Sequence, residues 1–325
     1  YYYPADLTVF DEIENANVIE TSGNYLTSDA NDLFAYTAKY QNRSAFFYSV
    51  MKSAPVFLQN AIYDNGNYYS LDTKKYTTDS FLEEYSQLDA LPEMTGITDE
   101  EKNVYFSLTN ETPHQPTVLD PETYTPAAVE DSQKNGDMSR FTLNGLTMRV
   151  ETDDQIGQYN AQMAALIKVA DYMDYLREQG VYDNTRIIIA SDHGNGCKHF
   201  DYLMPSDTLN IQRYLPLLMV KDFGSTEWKI SNQYMMNAEV PELILDGLVE
   251  DAVNPYTGNP INQSAMKGET QLIVESNIWS KAHISESTII DNDYLPWAYV
   301  SPGNMYDASN WVEVPYEEID FESVY

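Results

Sequence analysis

The chain has 325 residues and a mass of 37.1 kDa, enough for about two domains, and sets 51 Asp and Glu against 18 Lys and Arg for a formal net charge of −33. With 43% hydrophobic and 13% aromatic residues, the acidity belongs to a folded protein and not to a disordered tail. Such a charge argues against nucleic-acid binding and against an electrostatic hold on anionic lipid, and an anionic substrate would need a local cation such as a bound metal ion.

The single cysteine, Cys197, excludes an intrachain disulfide and a multi-cysteine zinc site. No segment approaches 18 uninterrupted apolar residues, and no basic-plus-apolar leader opens the chain at Tyr1. The abrupt start at Tyr1-Tyr2-Tyr3-Pro4 reads as that of a fragment.

Residues 1–80 alternate short apolar runs, such as Phe46 to Met51 and Ala54 to Leu58, with turn chemistry at Asp64-Asn65-Gly66-Asn67. Val104-Tyr105-Phe106-Ser107-Leu108 reads as a buried strand emptying into the polar loop Thr109 to Pro116. Residues 120–150 read as an excursion from the core with a hairpin at Asn144-Gly145.

Ile156, Tyr159, Met163, Leu166, Ala170, Met173 and Leu176 recur every three or four residues and predict one apolar helical face. Asp153 or Asp154 can cap that helix and Gly180 can end it. A tight turn then precedes Arg186-Ile187-Ile188-Ile189-Ala190, apolar throughout. Helix, turn and a strand apolar on both faces predict a strand covered by helices, hence a parallel α/β sheet. Leu215 to Val220 reads as a further strand and Asn237 to Leu248 as a helix with Pro241 in its first turn. From Asn254 onward Pro and Gly rise, and no Lys or Arg follows Lys281. The expected organisation is a main domain over 1–253 and an acidic, loop-rich extension over 254–325 packed on it.

Open parallel sheets bind ligands beyond the carboxyl ends of their strands, and Arg186 to Ala190 delivers Ser191-Asp192-His193-Gly194 to such an edge. A hard carboxylate beside an imidazole suits Zn, Mn or a similar divalent ion; the same residues also suit a polar turn. His114, stiffened by Pro113 and Pro116, can donate to an anionic oxygen or ligate a metal, or bond to its own turn. His199, six residues beyond His193, is either an additional ligand or a surface side chain. His283 reads as structural, Cys197 as a small packed side chain, and the Tyr excess as packing with some sugar or head-group contact surface.

Tyr182 to Gly194, read as YDNTRIIIASDHG, resembles the strand-and-Asp-His-Gly signature of the sulfatase-like branch of the alkaline phosphatase superfamily. Asn110 to Pro116 resembles that family's upstream T-H-x-P loop, and over about residues 1–250 the pattern is closest to the lipoteichoic acid synthase-like group. The resemblance implies a mostly parallel central sheet sandwiched by helices. It also implies an extracytoplasmic catalytic domain of a bacterial membrane protein, anchored by transmembrane helices that would precede Tyr1.

By the same resemblance one divalent ion (Mn, Mg or Zn) is held by Asp192, His193, an early Glu and a Thr or Ser nucleophile, while His114 contacts phosphate. The Glu and the nucleophile are not recognised in this chain and are expected upstream, so the fragment alone is expected to be inactive. The implied activity is phosphoryl-group transfer or phosphodiester cleavage on a lipid head group or envelope glycan through a Thr or Ser covalent intermediate. Sulfate-ester hydrolysis and a non-catalytic envelope-binding module are the alternatives.

Overall fold

The computed structural model describes residues 2–4, 17–19, 43–63, 68, 75–99, 101–129, 137–231, 234–256, 258–261, 268–274, 297–315 and 318. The turn at Asp64 to Asn67 and His283 lie outside them. Two compact units divide the chain: Tyr1–Leu146 with Val150–Tyr182, and Thr147–Arg149 with Asp183–Tyr325. Among the described residues no helix is long and apolar enough to cross a membrane.

In the first unit, strands β1 (Tyr2–Pro4) and β2 (Asn17–Ile19) pair in parallel. Helix α1 covers residues 43–53 and α2 covers Val56–Tyr63, with Pro55 between them. Strand β3 (Lys75–Tyr76) pairs antiparallel with β4 (Ala128–Val129). Helices α3 (Asp79–Asp89) and α4 (Leu91–Met94) precede the long α5 (Asp153–Glu178).

Helix α5 starts one residue earlier than the acidic pair predicts. Thr152 is the cap: its backbone is extended, its hydroxyl accepts from the Gln155 amide at 3.2 Å, and the Gln155 side chain accepts from the Thr152 amide. Asp153 and Asp154 fall in the first turn, where their charge suits the helix dipole. Gly180, at φ +74°, ends the helix as expected, because a left-handed residue is needed there.

The buried stripe of α5 is narrower than its apolar periodicity. Ile156 and Leu176 are buried, but Tyr159, Met163, Leu166 and Met173 are only half-buried and Ala170 is exposed. Small side chains carry the contact: Ala161 and Ala164 pack on Phe81, Tyr85 and Leu119, so a large partner on α3 fills each gap. Lys168 of α5 bridges to Asp89 of α3 at 2.7 Å. Burial alone would lower its pKa, but Asp89, Tyr85 and Asp171 reverse that and hold it above the ordinary lysine value.

The run at Val104 to Leu108 departs from the expected buried strand. It forms no strand among the described residues, and Val104, Tyr105 and Phe106 are all more than half exposed. The hairpin at Asn144-Gly145 is present, with β5 (Thr142–Leu143) and β6 (Leu146–Thr147) flanking two positive-φ residues.

In the second unit β7 (Ile187–Ala190) pairs with β8 (Leu218–Lys221), Ile187 opposite Lys221 and Ala190 opposite Leu218. The pairing is antiparallel, not the expected parallel one. The connection is built from turns and the 3₁₀ segments Asp201–Leu203 and Ile211–Tyr214, with no crossover helix, and a parallel return requires a crossover. The class remains mixed helix and sheet, with small sheets; a mostly parallel central sheet is not found among the described residues.

Helix α6 (Val240–Leu245) follows a 3₁₀ turn, with Pro241 near its start. Strands β9 (Gln271–Val274), β10 (Trp297–Val300) and β11 (Trp311–Val314) form an antiparallel sheet in the order β11-β10-β9. Ala298, Val300 and Trp311 share one core with Leu203, Leu209 and Ile211. Strands from beyond residue 254 therefore build the same core as residues 200–215.

Candidate metal and phosphate site

Strand β7 ends at Ala190, and the next four residues form a turn fixed from several sides. The Ser191 amide donates to the Leu217 carbonyl at 3.0 Å, and the Ser191 hydroxyl both accepts from the Leu217 amide and donates to the His193 carbonyl. Asn237, from the turn before α6, donates its side-chain amide to the carbonyls of Ser191 and Asp192 at 2.9 and 3.0 Å. The Gly194 amide donates to the Arg213 carbonyl. A side chain on residue 194 is sterically impossible in this conformation: a Cβ would lie 1.9 Å from the Gln212 carbonyl oxygen.

This framework presents Asp192 and His193 outward, with side chains 85% and 68% exposed. Asp192 Oδ1 accepts from the His193 amide at 2.9 Å. The His193 Nδ1 lies 2.7 Å from the Gly194 carbonyl oxygen, which can only accept, so Nδ1 carries a proton and the neutral ring has its lone pair on Nε2. That lone pair lies 3.6 Å from Asp192 Oδ2. Two donors at this separation span one divalent ion at about 2.1 Å from each, and a backbone carbonyl fixing the ligand tautomer is the usual support for a metal-bound histidine.

The donor chemistry thus fits a divalent ion as a partial set. Among the described residues no group of three His, Cys, Asp or Glu side chains converges on a metal position.

His199 does not extend the set. It is 7% exposed, its Nδ1 donates to the Arg149 carbonyl at 3.0 Å, and its own carbonyl accepts from the Arg149 amide. Burial, opposed by that hydrogen bond and aided by the Arg149 charge, lowers its pKa below the ordinary histidine value. The unfolded chain therefore takes up its proton first as pH falls. The neutral ring's contribution to stability is complete above the unfolded value and is lost from about pH 6.5 downward to the lowered native value. Melting temperatures of wild type and His199→Gln, compared from pH 8 to pH 5, should converge at the acidic end. A constant offset between them would exclude this role.

His114 belongs to the first unit. Its loop is held closely against α5. Gly157 lets the loop approach so closely that a Cβ there would meet the Thr117 backbone at 2.9 Å, and Gln158 donates to the Pro113 carbonyl. Glu84 accepts from the Asn110 side chain and the Glu111 amide, while Thr112 and Thr117 are buried. His114 itself is exposed; the Gln115 side-chain amide donates to its Nδ1 at 3.2 Å, leaving Nε2–H as a donor to an outside acceptor.

The clamping contacts of Ser191 and Asn237 and the close approach at Gly157 leave no local mark in the amino-acid order. Only the Gly194 position carried a visible signal, a glycine directly after the Asp-His pair. Cys197 is half-buried, with its amide donating to the Asn195 side chain.

No protein-family description matches the chain, and neither a curated protein nor a solved structure is significantly similar to it.

Proposed function

We propose that this chain is part of an extracytoplasmic, metal-dependent phosphoryl-group transferase or phosphodiesterase of the sulfatase-like kind, acting on phosphate esters of a lipid head group or envelope glycan. The observation that carries the reading is the pinned turn after β7, which holds a carboxylate oxygen and an imidazole lone pair 3.6 Å apart and faces them to solvent. In this reading Asp192 and His193 hold one divalent ion of the Mn, Mg or Zn type, completed by a Glu and a Thr or Ser from a preceding segment. When bound, the ion would neutralise phosphate charge and lower the pKa of a hydroxyl. His114 would donate from Nε2 to an anionic oxygen. The finer fold proposal, a mostly parallel sheet, would take β7 and β8 as an antiparallel edge of it.

Absence of a third ligand among the described residues favours a second reading, an envelope-binding module with a decayed site. Mn²⁺ titration followed by calorimetry and by paramagnetic broadening of the His193 ring signals separates the two. Binding at about one equivalent, lost in Asp192→Ala and in His193→Ala, is the expected result. No turnover of a p-nitrophenyl phosphodiester is expected from this chain with Mn²⁺. In a protein that also carries the preceding segment, both substitutions should abolish turnover. Unchanged calorimetric binding in both variants would end the metal assignment.

A further inference from the structure

Helices α1 and α2 present an apolar surface in the first unit that carries no carboxylate. Phe46, Val56 and Phe57 are 63%, 82% and 81% exposed, Tyr48, Val50, Leu58 and Tyr63 are also exposed, and α2 buries no residue. From Leu33 to Tyr63 there is no Asp or Glu, where the overall composition would place about five. The two charges on the helix pair are both positive. Lys52 is exposed, its ammonium 5.6 Å from the Tyr48 ring, and the Arg43 guanidinium lies 4.7 Å from Phe47. A shallow groove lined by Phe46, Val50 and Ala54 runs along α1.

A large exposed apolar patch marks an interaction surface. The partner is constrained by charge. A basic protein matched to a −33 molecule would meet acidic side chains, and α1 and α2 carry none. A phospholipid surface fits better: aromatic and aliphatic side chains enter the head-group and acyl boundary, tyrosines sit at its polar edge, and the lysine stem can extend back to the phosphates.

We infer that the α1–α2 pair docks on a phospholipid bilayer by inserting Val56 and Phe57. The inference rests on this surface alone and not on the metal reading. Apolar insertion provides the hold, while the acidic body is repelled by anionic lipid. The salt response is therefore opposite to that of a basic amphipathic helix. Binding to phosphatidylcholine vesicles should be nearly salt-independent, and binding to vesicles with 30% phosphatidylglycerol should strengthen from 10 to 150 mM salt, as screening shortens the body's reach to about 8 Å.

Vesicle flotation with the full chain tests the inference. Wild type should float with phosphatidylcholine vesicles, and Val56→Glu with Phe57→Glu should lower the bound fraction at least about tenfold. Both positions are exposed, so the circular dichroism spectrum should not change. In Phe57→Trp, tryptophan emission should shift to the blue on vesicle addition and be quenched by brominated lipid. Wild-type chain that fails to float, a glutamate variant that floats equally well, or a wild-type dimer that the glutamate pair dissociates would each overturn the inference; the last would make a second copy the occupant.

Discussion

Gly194→Ala is expected to destabilise the second unit by about 3 kcal/mol and to abolish Mn²⁺ binding at Asp192 and His193. The new Cβ would overlap the Gln212 carbonyl oxygen at 1.9 Å and crowd that of Leu215 at 2.8 Å. Both obstacles are backbone atoms, so no side-chain rotation relieves them. The Gly194 amide is also bonded to Arg213, so moving residue 194 away would break the bond that holds the turn against the 3₁₀ segment Ile211–Tyr214. Gly224 is the control: it sits at φ +60° with nothing within 4 Å of its Cβ position, so Gly224→Ala adds only left-handed strain of about 1 kcal/mol. A fall in melting temperature of roughly 6–12 °C for Gly194→Ala, against a small one for Gly224→Ala, is the expected pattern. Equal effects would show that residue 194 matters for its dihedrals and not for space.

Arg186→Met should cost the second unit about 2–4 kcal/mol, although Met keeps much of the apolar stem. The side chain is 11% exposed and its guanidinium joins separate pieces of chain. Nε and Nη2 both lie 2.8 Å from Asp222 Oδ1, and Nη1 donates to the carbonyls of Leu243, Ile244 and Asp246 at the end of α6. The plane also lies over Phe223, 4.7 Å from the ring centroid. Truncation would leave the α6 carbonyls without their cation and Asp222 without its ion pair. Lysine, a point charge on a flexible stem, should recover only part of the loss because it cannot fork toward Asp222 and α6 together.

Asp222 supplies an independent readout for the same variant. The Phe223 amide first and Arg186 second hold its pKa below the ordinary carboxylate value. Its contribution is therefore present above that ordinary value and lost as pH falls toward the lowered native one. In Arg186→Met the carboxyl resonance should titrate closer to the ordinary value, but still below it because the Phe223 amide remains. An unshifted titration would mean that Arg186 does not govern Asp222.

Local signals in the chain match the structure where neighbours within a few residues decide the outcome. Gly180 ends α5 because its own φ permits the turn, and Asn144-Gly145 makes a hairpin for the same reason. The apolar run Ile187 to Ile189 is a strand, and the Asp-His-Gly that follows it is a turn at the strand's end. Sequence-local signals mislead where the outcome depends on a distant partner. Val104 to Leu108 has the composition of a buried strand yet no described partner, and β7 pairs antiparallel because of how residues 191–217 return. The buried stripe of α5 shifted toward Ala161 and Ala164 because Phe81 and Tyr85 needed room, which no periodicity within α5 can reveal.

By itself the amino-acid order determined which residue types could serve as donors, where helices and turns end, and that the surface is overwhelmingly acidic, since these follow from composition and short-range sterics. Only the tertiary arrangement decided that His199 is a buried structural imidazole, that Gly194 has no space for a methyl group, and that Asn237 clamps a turn 45 residues away. Each of those outcomes depends on which backbone atoms lie within a few ångströms of a side chain, and long-range packing sets that distance.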